Sequence, residues 1–200
     1  MSDRSDRRNL LARAWSAARD HARHAPLRIQ ERIVYSRSLD SPIRFEPPRT
    51  PASFIFDPPL AHEAAPGPPV VDHVYRAVIE GREAYRMRVS LDRDSTAHLV
   101  PERDLPPRVV FFYDCLTHSE FRGRGLYPAA LTSAMETLRP LGYRRAYIRV
   151  HRENQASIAG IEKAGFERCG LIVHVALFGF RVGPWRRPGR ASANGAGSRP

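Results

Sequence analysis

The stretch Phe121-Arg122-Gly123-Arg124-Gly125-Leu126-Tyr127-Pro128 holds the residue types and spacing best able to do chemistry. It lies between an apolar run at 109–117 and an amphipathic run at 126–138. A glycine-bearing turn that opens a helix converges backbone N–H groups, and the helix dipole adds partial positive charge. Arg122 and Arg124 add full charges to the same turn. The anion that suits it is a phosphate or pyrophosphate, which guanidinium groups grip with paired hydrogen bonds. Gly123, Gly125 and Tyr127 can donate their amides; Pro128 has none to give.

Proton-handling groups sit just upstream. Asp114 is the only acid in the apolar run, so desolvation is expected to raise its pKa and suit it to be a base. The competing role is capping a bulge or pairing with an arginine. His118 follows the run and titrates near neutral pH, so it can relay a proton or simply occupy a solvated loop. Glu120 reads as a helix-start charge. Cys115 reads as an inert small hydrophobe, and Tyr113 and Tyr127 as packing residues with a hydroxyl to offer. Strand periodicity puts Tyr113, Cys115 and Thr117 on one face and Asp114, Leu116 and His118 on the other, unless a bulge mixes the sets.

The elements that must hold these groups follow from pattern. Residues 109–116 form a near-continuous apolar run, as for a strand buried on both faces. Leu131, Ala134, Met135 and Leu138 recur at helical spacing, with Pro128 in the first turn and Pro140 and Gly142 as stops. Residues 144–150 read as the next strand, with His151 at its end as an acceptor-side candidate. Asn154 caps a helix to about Ala164, with Ser157 in its first turn and Gly165 after it. The last strand is expected at 171–178. Upstream, 31–36 reads as a strand, and 70–79 with 82–91 as a hairpin turning at Glu80-Gly81. The prolines of 42–69 argue for a long loop, whose aromatics Phe45, Phe54 and Phe56 give it something to pack with. Residues 8–24 show an apolar helical stripe inside a basic segment, 1–30. From Gly183 to 200, glycine, proline, serine and arginine predict a disordered tail. The strand–helix–strand step needs one parallel pair, and the hairpin makes the remainder antiparallel: a mixed α/β sheet.

At 200 residues the chain suits one domain with appendages, here 31–182. The net charge is +11, almost all from arginine, since Lys163 is the only lysine. The arginines are scattered and lack a binding-module signature, which disfavours nucleic acid as a partner. Cys115 and Cys169 alone make neither a disulfide framework nor a zinc site, so no metal is expected. No apolar run is long enough to span a membrane, and no signal core opens the chain, so a cytoplasmic location is expected.

Two motifs together carry a resemblance. Arg122-Gly123-Arg124-Gly125-Leu126 resembles the phosphate loop of the GNAT superfamily of N-acetyltransferases. Asn154-Gln155-Ala156-Ser157-Ile158, followed by Glu162-Lys163-Ala164-Gly165-Phe166, resembles its later helix motif. The likeness spans about 107–180. It implies a mostly antiparallel sheet with one central parallel pair splayed for coenzyme A, and helices on both faces. It also implies direct transfer of an acetyl or other short acyl group from acyl-CoA to an amine, without metal. The implied cofactor contacts are Leu116, Thr117, Arg122, Gly123, Arg124, Gly125, Leu126, Tyr127, Asn154 and Ser157. Asp114 and His118 are the catalytic candidates. Two positions depart from the pattern. Tyr127 stands where glycine or alanine is usual, so its side chain must turn away from the pyrophosphate or cover it. Ile161 stands where many members carry the tyrosine that protonates the departing thiolate. A non-catalytic acyl-CoA-binding module of the same fold is therefore the alternative. The acceptor expected is a small-molecule or peptide amine, and the positive charge points toward an anionic one. Edge strands and the first helix allow a homodimer.

Overall fold

The computed structural model describes residues 27–57, 60–62, 70–97, 99–101, 105–177 and 180–188. The helix expected at 8–24 and the tail beyond 188 lie outside them. The strands are β1 Leu27–Ser38, β2 Ser53–Phe56, β3 Leu60–His62, β4 Val70–Ile79, β5 Arg82–Ser90, β6 Val109–Thr117, β7 Arg145–His151, β8 Glu167–Leu177 and β9 Phe180–Pro188. The helices are α1 Arg93–Ala97, α2 Leu126–Leu138 and α3 Gln155–Lys163.

Two compact units divide the described residues. The larger runs from Arg32 to Ile172 and resumes at Arg186. Its strands lie in the order β2-β4-β5-β6-β7-β1-β8, with β3 also beside β4. The ladders β1–β7, β2–β4, β3–β4, β4–β5 and β5–β6 are antiparallel, and β6–β7 is parallel. The smaller unit holds the start of β1, the end of β8 and most of β9.

Each sheet face packs its own core, and β6 shows why. Val110 and Phe112 join a cluster with Tyr85, Met87, Leu131, Met135 and Ile161, beneath α2 and α3. Val109 and Phe111 join Val34, Tyr147 and Ile172, against which Ala97 of α1 packs. Successive strand residues point to opposite faces, so an all-apolar run is what a strand covered twice requires. On α2, Leu126, Leu131, Met135 and Leu138 are fully buried. Each such side chain contributes about 1.5–3 kcal/mol relative to exposure.

Several segments depart from the sequence expectation. The proline-rich stretch contains β2 and β3, short strands at one end of the sheet order. Pro58 and the prolines at 66, 68 and 69 interrupt it, which hides strands this short from pattern reading. Residues 183–188 belong to β9 rather than to a disordered tail. Its Gly183, Pro184 and arginines mimic tail composition, yet a strand last in the sheet order tolerates proline. β1 and β8 are longer than expected, and α1 was not legible at all.

Candidate active site

β6 and β7 are in register from Val109↔Arg145 to Phe112↔Ile148, and the pairing stops there. β6 continues to Thr117 beside β5, and β7 continues to His151 beside β1. The two parallel strands thus part company in mid-sheet. Among the described residues, the main-chain groups on their facing edges beyond Phe112 and Ile148 have no strand partner. Such groups are obligatory hydrogen bonders.

The separation coincides with a β-bulge. Arg88 pairs Tyr113, but Arg86 pairs Leu116, so β6 carries one residue more than β5 between these pairs. Asp114 absorbs the irregularity with φ of 50°. Asp and Asn tolerate that left-handed region better than most residues. The bulge mixes the two faces anticipated from period two. Tyr113 packs with the Phe111 cluster, whereas Cys115 packs with the opposite one.

The same bulge overturns the expected desolvation of Asp114. Its side chain is 61% exposed, with its carboxylate 3.5 Å from Arg88 Nε. His118 instead has a built environment. Its Nε2 lies 3.3 Å from Glu83 Oε1. Glu83 in turn lies 4.0 Å from Arg76, and Arg76 donates two hydrogen bonds to Asp57 at 2.5 and 2.8 Å. A chain of charges therefore links β4, β5 and the end of β6. The Asp57 carboxylate, first by hydrogen bonding, holds the Arg76 guanidinium above its ordinary pKa.

Downstream, a 3₁₀ turn at Ser119–Phe121 leads into the glycine turn. Gly123 and Gly125 have φ of 75° and 74°, in the left-handed region that glycine enters freely. Gly125 occupies the N-cap of α2 and no side chain caps that helix. The amides of Leu126 and Tyr127 have no intrahelical partner by position. Ala129 N–H is the first to turn inward, donating to Gly125 O at 3.3 Å. Arg122 is exposed and donates to Thr117 O at 3.3 Å, while Arg124 donates to Glu120 O at 3.2 Å and lies over the Phe121 ring. Glu120 itself is paired with Arg82 at 2.5 Å. Leu116 and Thr117 end β6 at the entry to this turn.

Arg49 escaped sequence reading. Its N–H donates to Arg124 O at 2.8 Å, and Pro48 lies beside Gly125. The 44–50 segment thus straps the glycine turn and brings a third arginine to it. A proline-rich run seen alone gives no sign of a neighbour so distant along the chain. Glu83 and Arg76 were missed for the same reason, since alternation on a strand does not reveal what lies across it.

The α3 motif behaves as expected locally. Asn154 Oδ1 accepts from Ser157 N–H at 3.1 Å and caps the helix. Ile161 is fully buried in the core. Tyr127, the unexpected residue of the turn, points inward. Its ring rests on Gly160 of α3, where a Cβ would come within 2.6 Å of it. The Tyr85 ring lies 5.9 Å from it, and Cys115 packs against the same core. Burial pushes the Cys115 thiol up to about 11 despite the Tyr85 and Tyr127 hydroxyls. Burial, then the adjacent thiol, pushes Tyr127 and Tyr85 well above the usual tyrosine range. On β7, burial and then neighbouring Arg32 lower Arg149 to about 10. His151 is exposed at the strand end. Among the described residues no group of three or more His, Cys, Asp or Glu is placed to hold a metal. Among them no helix is long and apolar enough to cross a membrane.

Among the described residues, the sheet splits at its parallel pair and faces the start of α2 behind the glycine turn. Residues 89–166 match the model of the acetyltransferase (GNAT) family. Solved structures resemble the chain at low identity. One is described as an acetyltransferase from the GNAT family of Novosphingobium aromaticivorans, at 17% identity and TM-score 0.48, covering 75% of this chain and 66% of that one. Another is a GCN5-related N-acetyltransferase from Sphaerobacter thermophilus, at 16% identity and TM-score 0.48, covering 84% and 57%. This chain therefore spans less than two thirds of either. No curated protein matches it.

Proposed function

We propose that this protein transfers an acetyl or other short acyl group from acyl-CoA directly to an amine. The observation that carries this is the end of the β6–β7 register at Phe112↔Ile148, ahead of the uncapped start of α2. Free strand edges suit the amide-bearing arm of coenzyme A. The amides of Gly123 to Tyr127, with Arg122, Arg124 and Arg49, suit its diphosphate. Because Tyr127 turns inward, its side chain does not obstruct that seat. Acyl-CoA, when bound, supplies the thioester carbonyl that the amine attacks, and the C–S bond breaks as the C–N bond forms.

The chain's own groups have three tasks. An unpaired β6 amide at the bulge is suited to stabilise the oxyanion. His118, oriented by Glu83, takes the proton from the acceptor ammonium; the exposed, arginine-paired Asp114 is the weaker base. Tyr127, with Tyr113, is a candidate for the acid absent at Ile161. Calorimetric titration with acetyl-CoA and with desulfo-CoA tests the binding claim, and failure of both at millimolar concentration refutes it. His118→Gln tests the chemistry. Turnover should fall by about 10²–10⁴-fold, the range of positioned acid–base groups. An unchanged pH–rate profile removes His118 from the mechanism. Acyl-CoA binding with no thiol release across a broad amine panel favours the non-catalytic module instead.

A further inference from the structure

The β4–β5 face opposite α2 carries charges that the acyl-CoA seat does not use. Arg76 and Arg86 are directly opposite each other across the ladder. Arg88 stands two residues further along β5 on the same face. Directly opposed like charges destabilise a sheet, because their Cβ atoms are only about 5 Å apart. Two of the three are compensated. Arg76 is held by Asp57 at 2.5 Å, and Arg88 lies 3.5 Å from Asp114. Glu83 is engaged with His118 and Arg76. Arg86 is exposed and has no acid against it among the described residues.

These side chains line one groove of about 510 Å³, whose wall includes Asp57, Arg76, Glu83, Arg86, Arg88 and Asp114. Asp114 places one wall of the groove at the bulge where β6 leaves β7. Glu83 connects it to His118. The groove thus borders Glu83, the partner of His118, and Asp114 at the bulge.

We propose that this groove recognises an oxyanion, carboxylate or phosphate, on the acceptor, with Arg86 as its principal anchor and Arg88 as a second donor. The proposal rests on the acyltransferase reading of the neighbouring split. A guanidinium presents a planar fork that matches either oxyanion. An anion bound beside Arg86 relieves the repulsion between the opposed Arg76 and Arg86. The acceptor class is therefore an amine bearing its own negative group, with the amine directed at His118.

The test titrates full-length protein with matched amines: phosphoethanolamine against ethanolamine, and glycylglycine against glycylglycinamide. Arginine Nε–Hε resonances report binding, with and without saturating desulfo-CoA. The proposal expects one anionic member to bind about tenfold more tightly than its neutral partner, as one charged hydrogen-bonded anchor supplies. The phosphate and carboxylate arms tell which oxyanion is preferred. Arg86→Gln should abolish the preference, keep desulfo-CoA affinity and raise the melting temperature. Equal affinity within both pairs, no binding by either anionic member, or a preference that survives Arg86→Gln overturns it, leaving only a solvated charged surface. Loss of desulfo-CoA binding in the unmodified protein is a separate result that strikes the acyltransferase reading.

Discussion

Single residues decide how this site differs from its family's pattern. Gly125 combines a left-handed φ with the helix N-cap, so no other L-residue reproduces it without strain. Gly125→Glu should abolish acyl-CoA binding, because the new carboxylate occupies the anion's place. Gly125→Ala supplies the control, since it carries the same backbone strain of about 1–2 kcal/mol without the charge. Calorimetry beside circular dichroism separates the two; retained affinity in the folded Glu variant means the turn is not the seat. Cys115 gives a pH prediction. Its folded pKa of about 11 lies above the ordinary 9.0, because burial disfavours the thiolate. The folded state therefore binds the proton more tightly than the unfolded state does. The stability it contributes should be intact below about 9 and be lost as pH rises through 11. Denaturant melts of Cys115→Ala against the unmodified protein check this, and parallel pH dependences contradict it. At neutral pH the thiol should react slowly with disulfide reagents.

At the scale of elements, the contact between α2 and α3 is set by Tyr127 and Gly160. Alanine at 160 gains about 1 kcal/mol of helix propensity. Overpacking against the Tyr127 ring costs about 1–3 kcal/mol, since a Cβ would lie 2.6 Å from the ring. Packing outweighs propensity, so Gly160→Ala should destabilise the fold modestly. In a Tyr127→Ala background, Gly160→Ala should add no such cost, because the clash is gone. A double-mutant cycle in urea reads the coupling, and additive effects deny the contact. The two elements best read from sequence, β6 at 109–117 and α2 at 126–138, have bounds that agree with their patterns. Both owe their form to local rules: a doubly buried strand must be apolar throughout, and a helix must bury one stripe. β2 and β9 obey weaker rules. At the end of the sheet order proline is tolerated, so their composition resembles that of loops.

For the molecule as a whole, acyl-CoA should link the parts of the split sheet. At a hundredfold excess over its dissociation constant a ligand stabilises by about 2.7 kcal/mol, roughly 5–10 °C for a domain of this size. Acetyl-CoA should raise the melting temperature by that amount. The shift should shrink as salt is added, because the arginines at the turn are largely exposed and screened over about 10 Å at 0.1 M. A salt-independent shift places the phosphates elsewhere. The glycine turn, the Asn154 cap and the GNAT resemblance were legible in the sequence because each depends on neighbours along the chain. The inward rotation of Tyr127, the exposure of Asp114 and the Glu83–His118 pair were not, nor were Arg49 at the turn and the opposed Arg76 and Arg86. Each of those depends on a partner brought close by sheet register or by a bulge, and register is a property of two strands together. Local chemistry thus determined the glycine turn proposed as the anion's seat. Tertiary pairing alone decided which side chains surround it, because a single extra residue in β6 reassigns every face beyond it.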